Sequence, residues 1–150
     1  MKAKTTWVLV ADGGAARVYT TNGAVGAGLI EVPGGSFVAP RSHGHDVYSD
    51  RGGRSFDSMG GQRHAMEPPT SPQAQGRRKF ARQISEWLAA PGRADAFDRL
   101  VIAAEPKTLG ELRDVMPAKL RDKVAAELDK DLTKATPAEI VTAFGDKIVL

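Results

Sequence analysis

The sequence predicts one α/β domain in which a mixed β-sheet lies between layers of helices. Its 150 residues are close to the commonest size of a single domain. Three short runs rich in β-branched and apolar residues open the chain, and helix and strand patterns alternate from residue 71 onward. The predicted order is three strands, a long loop, then helix, strand, helix, helix, strand and helix. That order is typical of a single three-layer domain with a mixed sheet.

The first three strands are predicted as an antiparallel meander. Residues 5–11 and 15–21 are rich in apolar and β-branched residues, which is typical of strands. Asp12-Gly13-Gly14 between them favours a tight hairpin turn. A second turn signal, Asn22-Gly23, precedes a third strand over residues 29–32. Pro33-Gly34-Gly35 is expected to end that strand.

Residues 39–76 are predicted to form a long basic loop. They contain four prolines, six glycines, three histidines and few large aliphatic residues. Such a composition buries too little apolar surface to offset the entropy of ordering it. Residues 41–82 carry eight basic and four acidic residues, so the positive charge of the chain concentrates there. We expect residues 42–70 to be a mobile arm or to lie against a partner chain.

Ser71-Pro72 predicts the start of a helix, because proline is favoured in the first turn. Phe80, Ile84, Trp87 and Leu88 then form one apolar stripe, and Pro91-Gly92 ends the helix. Residues 97–104 end in a continuous apolar run, which is typical of a central strand covered on both faces.

Two capping boxes are predicted in the last third of the chain. Thr108 with Glu111 opens a helix through residue 116, and Thr136 with Glu139 opens one through about residue 144. Pro117 begins a short helix through residue 123. Residues 124–128 have helical propensity, but their alternation also permits a strand, and we predict a strand.

Composition excludes several classes of site. The chain has no cysteine, so disulfides, thiolate metal sites and cysteine nucleophiles are absent. The apolar run at residues 7–11 is too short for a signal peptide, and no stretch reaches the ~20 apolar residues of a membrane span. We therefore expect a cytoplasmic protein without membrane insertion.

Six stretches, in order along the chain, form a pattern: TWVLVADG at 6–13, ARVY at 16–19, RSFDS at 54–58 with Gly60-Gly61, KFA at 79–81, FDRLVIAAEPKTLGELR at 97–113 and LDKDLT at 128–133. With these stretches the chain resembles the bacterial host attachment protein family. The resemblance implies a ribonuclease-H-like fold similar to the central domain of archaeal and eukaryotic class I peptide-release factors. It also implies a part in attaching bacteria to host cells, which names no biochemical activity.

Gly60-Gly61-Gln62 is the motif nearest to catalysis. Release factors use a Gly-Gly-Gln tip to help water attack peptidyl-tRNA, since glycines permit close backbone approach and an amide stabilises the oxyanion. In the host attachment family the position of Gln62 is commonly arginine. We therefore favour a loop glycine pair over a hydrolytic tip.

Other residue clusters suggest metal or nucleic-acid chemistry. His43, His45 and His64 lie in the loop without a fixed acid, and Asp12, Asp98 and Glu105 are the carboxylates that a metal-dependent nuclease would need. We expect neither a metal site nor a cofactor. Seven cations are candidates for phosphate contacts: Arg51, Arg54, Arg63, Arg77, Arg78, Lys79 and Arg82. The last four are predicted to share one edge of a helix, and a merely solvated face explains them as well.

Three functions follow from these patterns. The first hypothesis is a non-enzymatic binding module that associates with RNA or the ribosome. The second is a protein-interaction factor in bacterial attachment to host cells. The third is peptidyl-tRNA hydrolysis through Gly60-Gly61-Gln62.

Overall fold

The elements follow the predicted order. A computed structural model describes residues 4–21, 28–39, 71–145, 147, 148 and 150. The strands are β1 (Thr6–Ala11), β2 (Ala15–Thr21), β3 (Leu29–Val38), β4 (Arg99–Ala104) and β5 (Val124–Leu128). The helices are α1 (Pro72–Ala89), α2 (Pro106–Val115), α3 (Ala118–Arg121) and α4 (Pro137–Ala143).

The five strands form one mixed sheet in the order β3-β2-β1-β4-β5. β1 pairs antiparallel with β2 and β2 with β3, which is the predicted meander. β1 also pairs parallel with β4, and β4 with β5, so β1 and β4 lie in the centre. The mixed α/β sheet is confirmed, whereas the finer ribonuclease-H-like assignment stays a prediction.

Helices cover both faces of the sheet. Trp7, Leu9 and Ala11 of β1 point to one face, where they pack with residues of α1, α2 and α3. Val8 and Val10 point to the other face, where they pack with Ile140 and Phe144. All six residues of β1 are buried, because a central strand has helices on both sides. The arrangement has the three predicted layers.

α1 begins where the sequence predicted. The Ser71 hydroxyl oxygen accepts a hydrogen bond of 3.0 Å from the backbone N–H of Ala74, and Pro72 occupies the first turn. Phe80, Ile84 and Leu88 are buried against the sheet. Burial of each stabilises the fold by about 1.5–3 kcal/mol. Residues 72–76 are therefore helical, although their composition predicted that they belong to the end of the 39–76 loop. Residues 40–70 of that predicted loop lie outside the described residues.

β3 is longer than predicted. It continues through Pro33-Gly34-Gly35 to Val38, so the expectation that this motif ends the strand is wrong. β3 is an edge strand, where a proline without an N–H costs no ladder bond on the free side. Gly34 has a φ of +79°, and the register with β2 shifts at this point, so the three residues form a bulge within the strand.

The predicted capping box at Thr108 is also wrong. α2 begins at Pro106 with Glu105 as the N-cap residue, which places Thr108 inside the first turn. Proline suits the first helical position because its missing N–H would have no partner there. Thr108 is buried, and its hydroxyl donates to Glu105 Oε1 at 2.9 Å.

The other predictions for the last third agree with the structure, apart from small differences at their ends. Residues 124–128 form the strand β5 beside β4, and Glu127 of β5 pairs with Arg113 of α2. The Thr136 capping box is confirmed by hydrogen bonds of 2.8 and 3.1 Å with Glu139. α3 ends at Arg121 rather than 123, and β4 begins at Arg99 rather than 97.

Candidate functional site

The carboxyl ends of the parallel strands β1, β4 and β5 lie at one edge of the sheet. Asp12 follows β1, Glu105 follows β4, and Asp131 comes three residues after β5. In open α/β sheets this edge is where ligands commonly bind. A ligand site is therefore expected at this edge of the sheet.

Asp12 has a structural position at this edge. Its Oδ1 accepts hydrogen bonds from the backbone N–H groups of Gly14 at 2.7 Å and Ala15 at 2.8 Å. These bonds close the β1–β2 turn, as Asp-Gly sequences commonly do. The hairpin interpretation of Asp12-Gly13-Gly14 is confirmed.

A buried threonine joins Asp12 to the loop after β5. The Thr133 hydroxyl lies 2.6 Å from Asp131 Oδ1 and 3.3 Å from Asp12 Oδ2. A hydroxyl has one hydrogen, and the shorter distance assigns it to Asp131. Partial burial acts to raise the pKa of Asp131, but hydrogen bonds from the Thr133 hydroxyl and backbone N–H, with Asp12 and Lys134 nearby, outweigh it. The pKa of Asp131 therefore lies below its usual value.

The other side of the same turn contacts α1. A β-carbon on Gly13 would lie 3.6 Å from Cγ and Cδ of Arg77 and 3.6 Å from Glu105 Oε1. These are ordinary van der Waals distances, so Arg77 and Glu105 both approach the turn at Gly13. Arg77 is half-buried, because this contact turns its stem toward the sheet edge.

A groove opens between this turn, the end of β3 and the first half of α1. Its volume is about 530 Å³. We call it the α1 groove, and its lining residues are Gly13, Ala39, Pro72, Gln73, Gly76, Arg77, Lys79, Phe80, Gln83 and Glu105. Gln73, Gly76, Phe80 and Gln83 recur at spacings of 3, 4 and 3, so they form one wall along a single helix face.

The four basic residues of α1 do not share one environment. Arg78 is half-buried and pairs with Glu111 of α2 at 3.2 Å. Arg77 is half-buried over Gly13, whereas Lys79 and Arg82 are exposed one turn apart. The predicted basic edge is therefore divided, and two of its cations reach solvent fully.

The candidate nuclease carboxylates are not brought together. Asp98 precedes β4, and its Oδ2 accepts from the backbone N–H of Thr5 at 2.8 Å. Asp12 and Glu105 lie at the other end of the same parallel pair, about 20 Å away at ~3.3 Å per residue. In the described part of the chain no group of three or more acidic or histidine side chains is placed to hold a metal ion.

The remaining candidates lie outside the described residues. They are the arginines Arg51, Arg54 and Arg63, the motif Gly60-Gly61-Gln62, and the histidines His43, His45 and His64. No helix among the described residues is long and apolar enough to cross a membrane.

Sequence reasoning missed the α1 groove. Its residues come from four separate stretches of the chain, and their meeting depends on the tertiary fold. One signal was readable: Gly76 interrupts a helix whose other positions favour helix formation, and glycine in a helix interior costs about 1 kcal/mol relative to alanine. At Gly76 an added β-carbon would meet no atom within 4 Å, so this part of the helix surface is open.

A comparison with known families bears on the whole fold. The sequence model of a family described as "protein required for attachment to host cells" matches residues 7–143. No curated protein matches the chain. The match concerns this family alone, so the likeness to release factors stays a prediction. Because the matched residues include every described strand and helix except the first residue of β1, the chain belongs to the host attachment family.

Proposed function

We propose that this domain is a non-enzymatic module that binds RNA, free or within the ribosome, through the first half of α1. One observation carries the proposal: Lys79 and Arg82 stand exposed one turn apart, and Lys79 also lines the α1 groove. Exposed cations at this spacing suit neighbouring phosphates, each of which releases counterions on binding.

The sequence of α1 itself supports the same surface. Residues 71–82 carry four basic residues and no acidic one, whereas residues 40–70 carry four arginines and four acidic residues. The net positive charge of residues 41–82 therefore lies on α1, where Lys79 borders the groove.

The carboxylates near the groove support binding rather than hydrolysis. Asp12 is committed to the β1–β2 turn, and Glu105 accepts from Thr108 at the start of α2. A general base needs a carboxylate that can take a proton from water at the substrate. These two carboxylates instead stabilise local structure.

The test is the salt dependence of binding to a fluorescently labelled single-stranded RNA. The double variant Lys79→Gln/Arg82→Gln is compared with Lys119→Gln/Lys130→Gln, which removes two exposed cations elsewhere on the fold. Loss of two phosphate contacts should reduce the slope of log K against log salt by about 1.4 and weaken binding on the order of tenfold at 0.1 M salt. Equal effects of the two double variants, or no binding by the unaltered protein, would contradict the proposal.

A protein-interaction function in attachment is the second candidate, and the description of the matched family favours it. It predicts that the protein is recovered with the cell envelope or outside the cell, bound to another protein. Cell fractionation followed by immunodetection separates the two candidates. Recovery in the ribosomal fraction at low salt, with none in the envelope, would count against attachment and for the RNA-binding proposal.

A further inference from the structure

We infer that the α1 groove holds one unpaired nucleotide of a single-stranded RNA. This inference rests on the proposed RNA-binding function and specifies what the groove adds to it. Lys79 and Arg82 explain attraction to phosphates of any nucleic acid, since phosphate contacts carry no sequence or strand information. The groove between them and the sheet edge is the feature that distinguishes single strands from duplexes.

The volume of the groove fits a small ligand. Its volume of about 530 Å³ falls within the roughly 300–1,000 Å³ of pockets that take small molecules and cofactors. A duplex presents its bases paired and stacked, so none of them can enter a groove of this kind. Sequence-reading RNA-binding proteins instead take splayed, unpaired bases.

The lining has the three kinds of group that an unpaired nucleotide needs. Pro72 and Ala39 supply apolar surface, and Phe80, which is only 3% exposed, borders the groove with a small part of its surface. Gln73 and Gln83 are exposed on the groove wall. A side-chain amide donates and accepts at once, which matches the mixed donor and acceptor edge of a free base.

The charge around the groove is complementary to one phosphate group. Lys79 and Arg77 line it, and Glu105 is its acidic residue. Glu105 Oε1 accepts from Thr108 and lies on the Gly13 side, at the sheet edge. Lys79 is exposed on the solvent side of α1. The phosphate therefore belongs at the outer rim beside Lys79, and the base belongs toward the apolar surface.

Gly76 allows the groove to be filled without disturbing the helix. A β-carbon at Gly76 meets no atom within 4 Å, and Gly76 is not among the glycines with positive φ. Gly76→Phe should therefore fold and occupy the space. Gly110→Phe in α2 is the matched control, because an added β-carbon there also meets no atom within 4 Å and Gly110 does not line the groove. Gln83→Ala is a second variant, because Gln83 is exposed and its truncation removes one amide without altering the core.

Binding is measured with a labelled 12-nucleotide RNA, single-stranded or annealed to its complement, and thermal unfolding confirms that each variant is folded. We expect the unaltered protein to prefer the single strand, and Gly76→Phe to weaken single-strand binding about tenfold with no change for the duplex. Gln83→Ala should weaken it several-fold, and Gly110→Phe should bind as the unaltered protein does.

Three results would overturn the inference in distinguishable ways. If single strand and duplex bind equally and Gly76→Phe changes neither, the groove holds no nucleotide although the proposed RNA binding stands. If polyglutamate displaces the single strand as well as unlabelled RNA does, the groove accepts an acidic peptide instead. If neither RNA binds, the proposed function itself fails.

Discussion

Replacing Gly35 of the edge strand β3, even by alanine, is predicted to destabilise the fold. A β-carbon there would lie 2.9 Å from Cβ of Val18, 3.1 Å from the carbonyl oxygen of Val32 and 3.2 Å from Cη2 of Trp87. The first contact is shorter than carbon atoms tolerate, and neither a β-carbon nor a backbone carbonyl can swing away. Gly35→Ala must therefore push β3 away from β2 or displace Trp87.

The size of the effect follows from two opposing contributions. Forcing an extra methyl group into a packed site costs about 1–3 kcal/mol. Replacing glycine by alanine also restricts the unfolded chain, which stabilises the fold by about 0.4–1 kcal/mol. The free energy of unfolding should fall by roughly 1–2 kcal/mol, which lowers Tm by about 2–8 °C in a chain of this size.

Urea denaturation followed by tryptophan fluorescence measures this change, since Trp87 packs 5.9 Å from Trp7 between ring centroids. Gly110→Ala in α2 is the control, because nothing lies within 4 Å of its added β-carbon and alanine favours helix by up to about 1 kcal/mol. If Gly35→Ala is as stable as the unaltered protein while Gly110→Ala is more stable, β3 does not approach Val18 and Trp87 as described.

Three further predictions concern other parts of the chain. Thr136→Ala should lower the free energy of unfolding by about 1 kcal/mol through loss of the α4 capping box, and thermal unfolding compared with Thr142→Ala checks this. Asp131→Asn should lower the free energy of unfolding above about pH 4, because a carboxylate with a lowered pKa in the folded state stabilises the fold only while it is ionised. The difference in free energy of unfolding between the variant and the unaltered protein should vanish as the pH falls. The same difference at pH 3 and pH 7 in urea denaturation would contradict this prediction. Gln62→Ala should leave peptidyl-tRNA release on ribosomes at the background rate of the unaltered protein, and acceleration that Gln62→Ala abolishes would restore the hydrolysis hypothesis.

The central strands could be predicted because burial on both faces leaves a plain sequence signal. Residues 6–11 and 99–104 contain almost no polar side chain, and both are covered by helices in the structure. The two aromatic residues of the predicted α1 stripe were also placed correctly: Phe80 is buried, and Trp87 packs at the rim of the core.

The failures came from short motifs that have two physical outcomes. Pro33-Gly34-Gly35 ends a central strand but forms a bulge in an edge strand, and the position of β3 in the sheet decides between them. Thr108 and Glu111 have capping-box spacing, yet Pro106 two residues earlier fixes the helix start and leaves Thr108 inside the turn. In each case a neighbour in space or in sequence decided the outcome.

Of the α1 groove and its surroundings, the sequence predicted only that basic residues gather on α1. The sequence indicated that Arg77, Arg78, Lys79 and Arg82 lie on one helix, but pairing with Glu111 and contact with Gly13 depend on where α2 and the β1–β2 turn lie. The groove itself requires Ala39, Gly13 and Glu105 to meet α1, and no local pattern records that meeting.

The β1–β2 turn divides the carboxyl edge of the sheet into a fixed side and an open side. Asp12 faces Thr133 and Asp131, where the carboxylates are held by hydrogen bonds from the turn and the loop after β5. Gly13, the next residue, faces Arg77 and Glu105 at the α1 groove. On the first side, hydrogen bonds from backbone N–H groups to Asp12 close the β1–β2 turn, and Thr133 donates separately to Asp131. The turn that carries Gly13 is thus fixed by contacts outside the groove, and a fixed wall of this kind lowers the entropic cost of binding a ligand. The residues that shape the α1 groove are therefore not only those that line it: Asp12 holds the turn that carries Gly13, whereas Lys79, Gln73 and Gln83 line the groove.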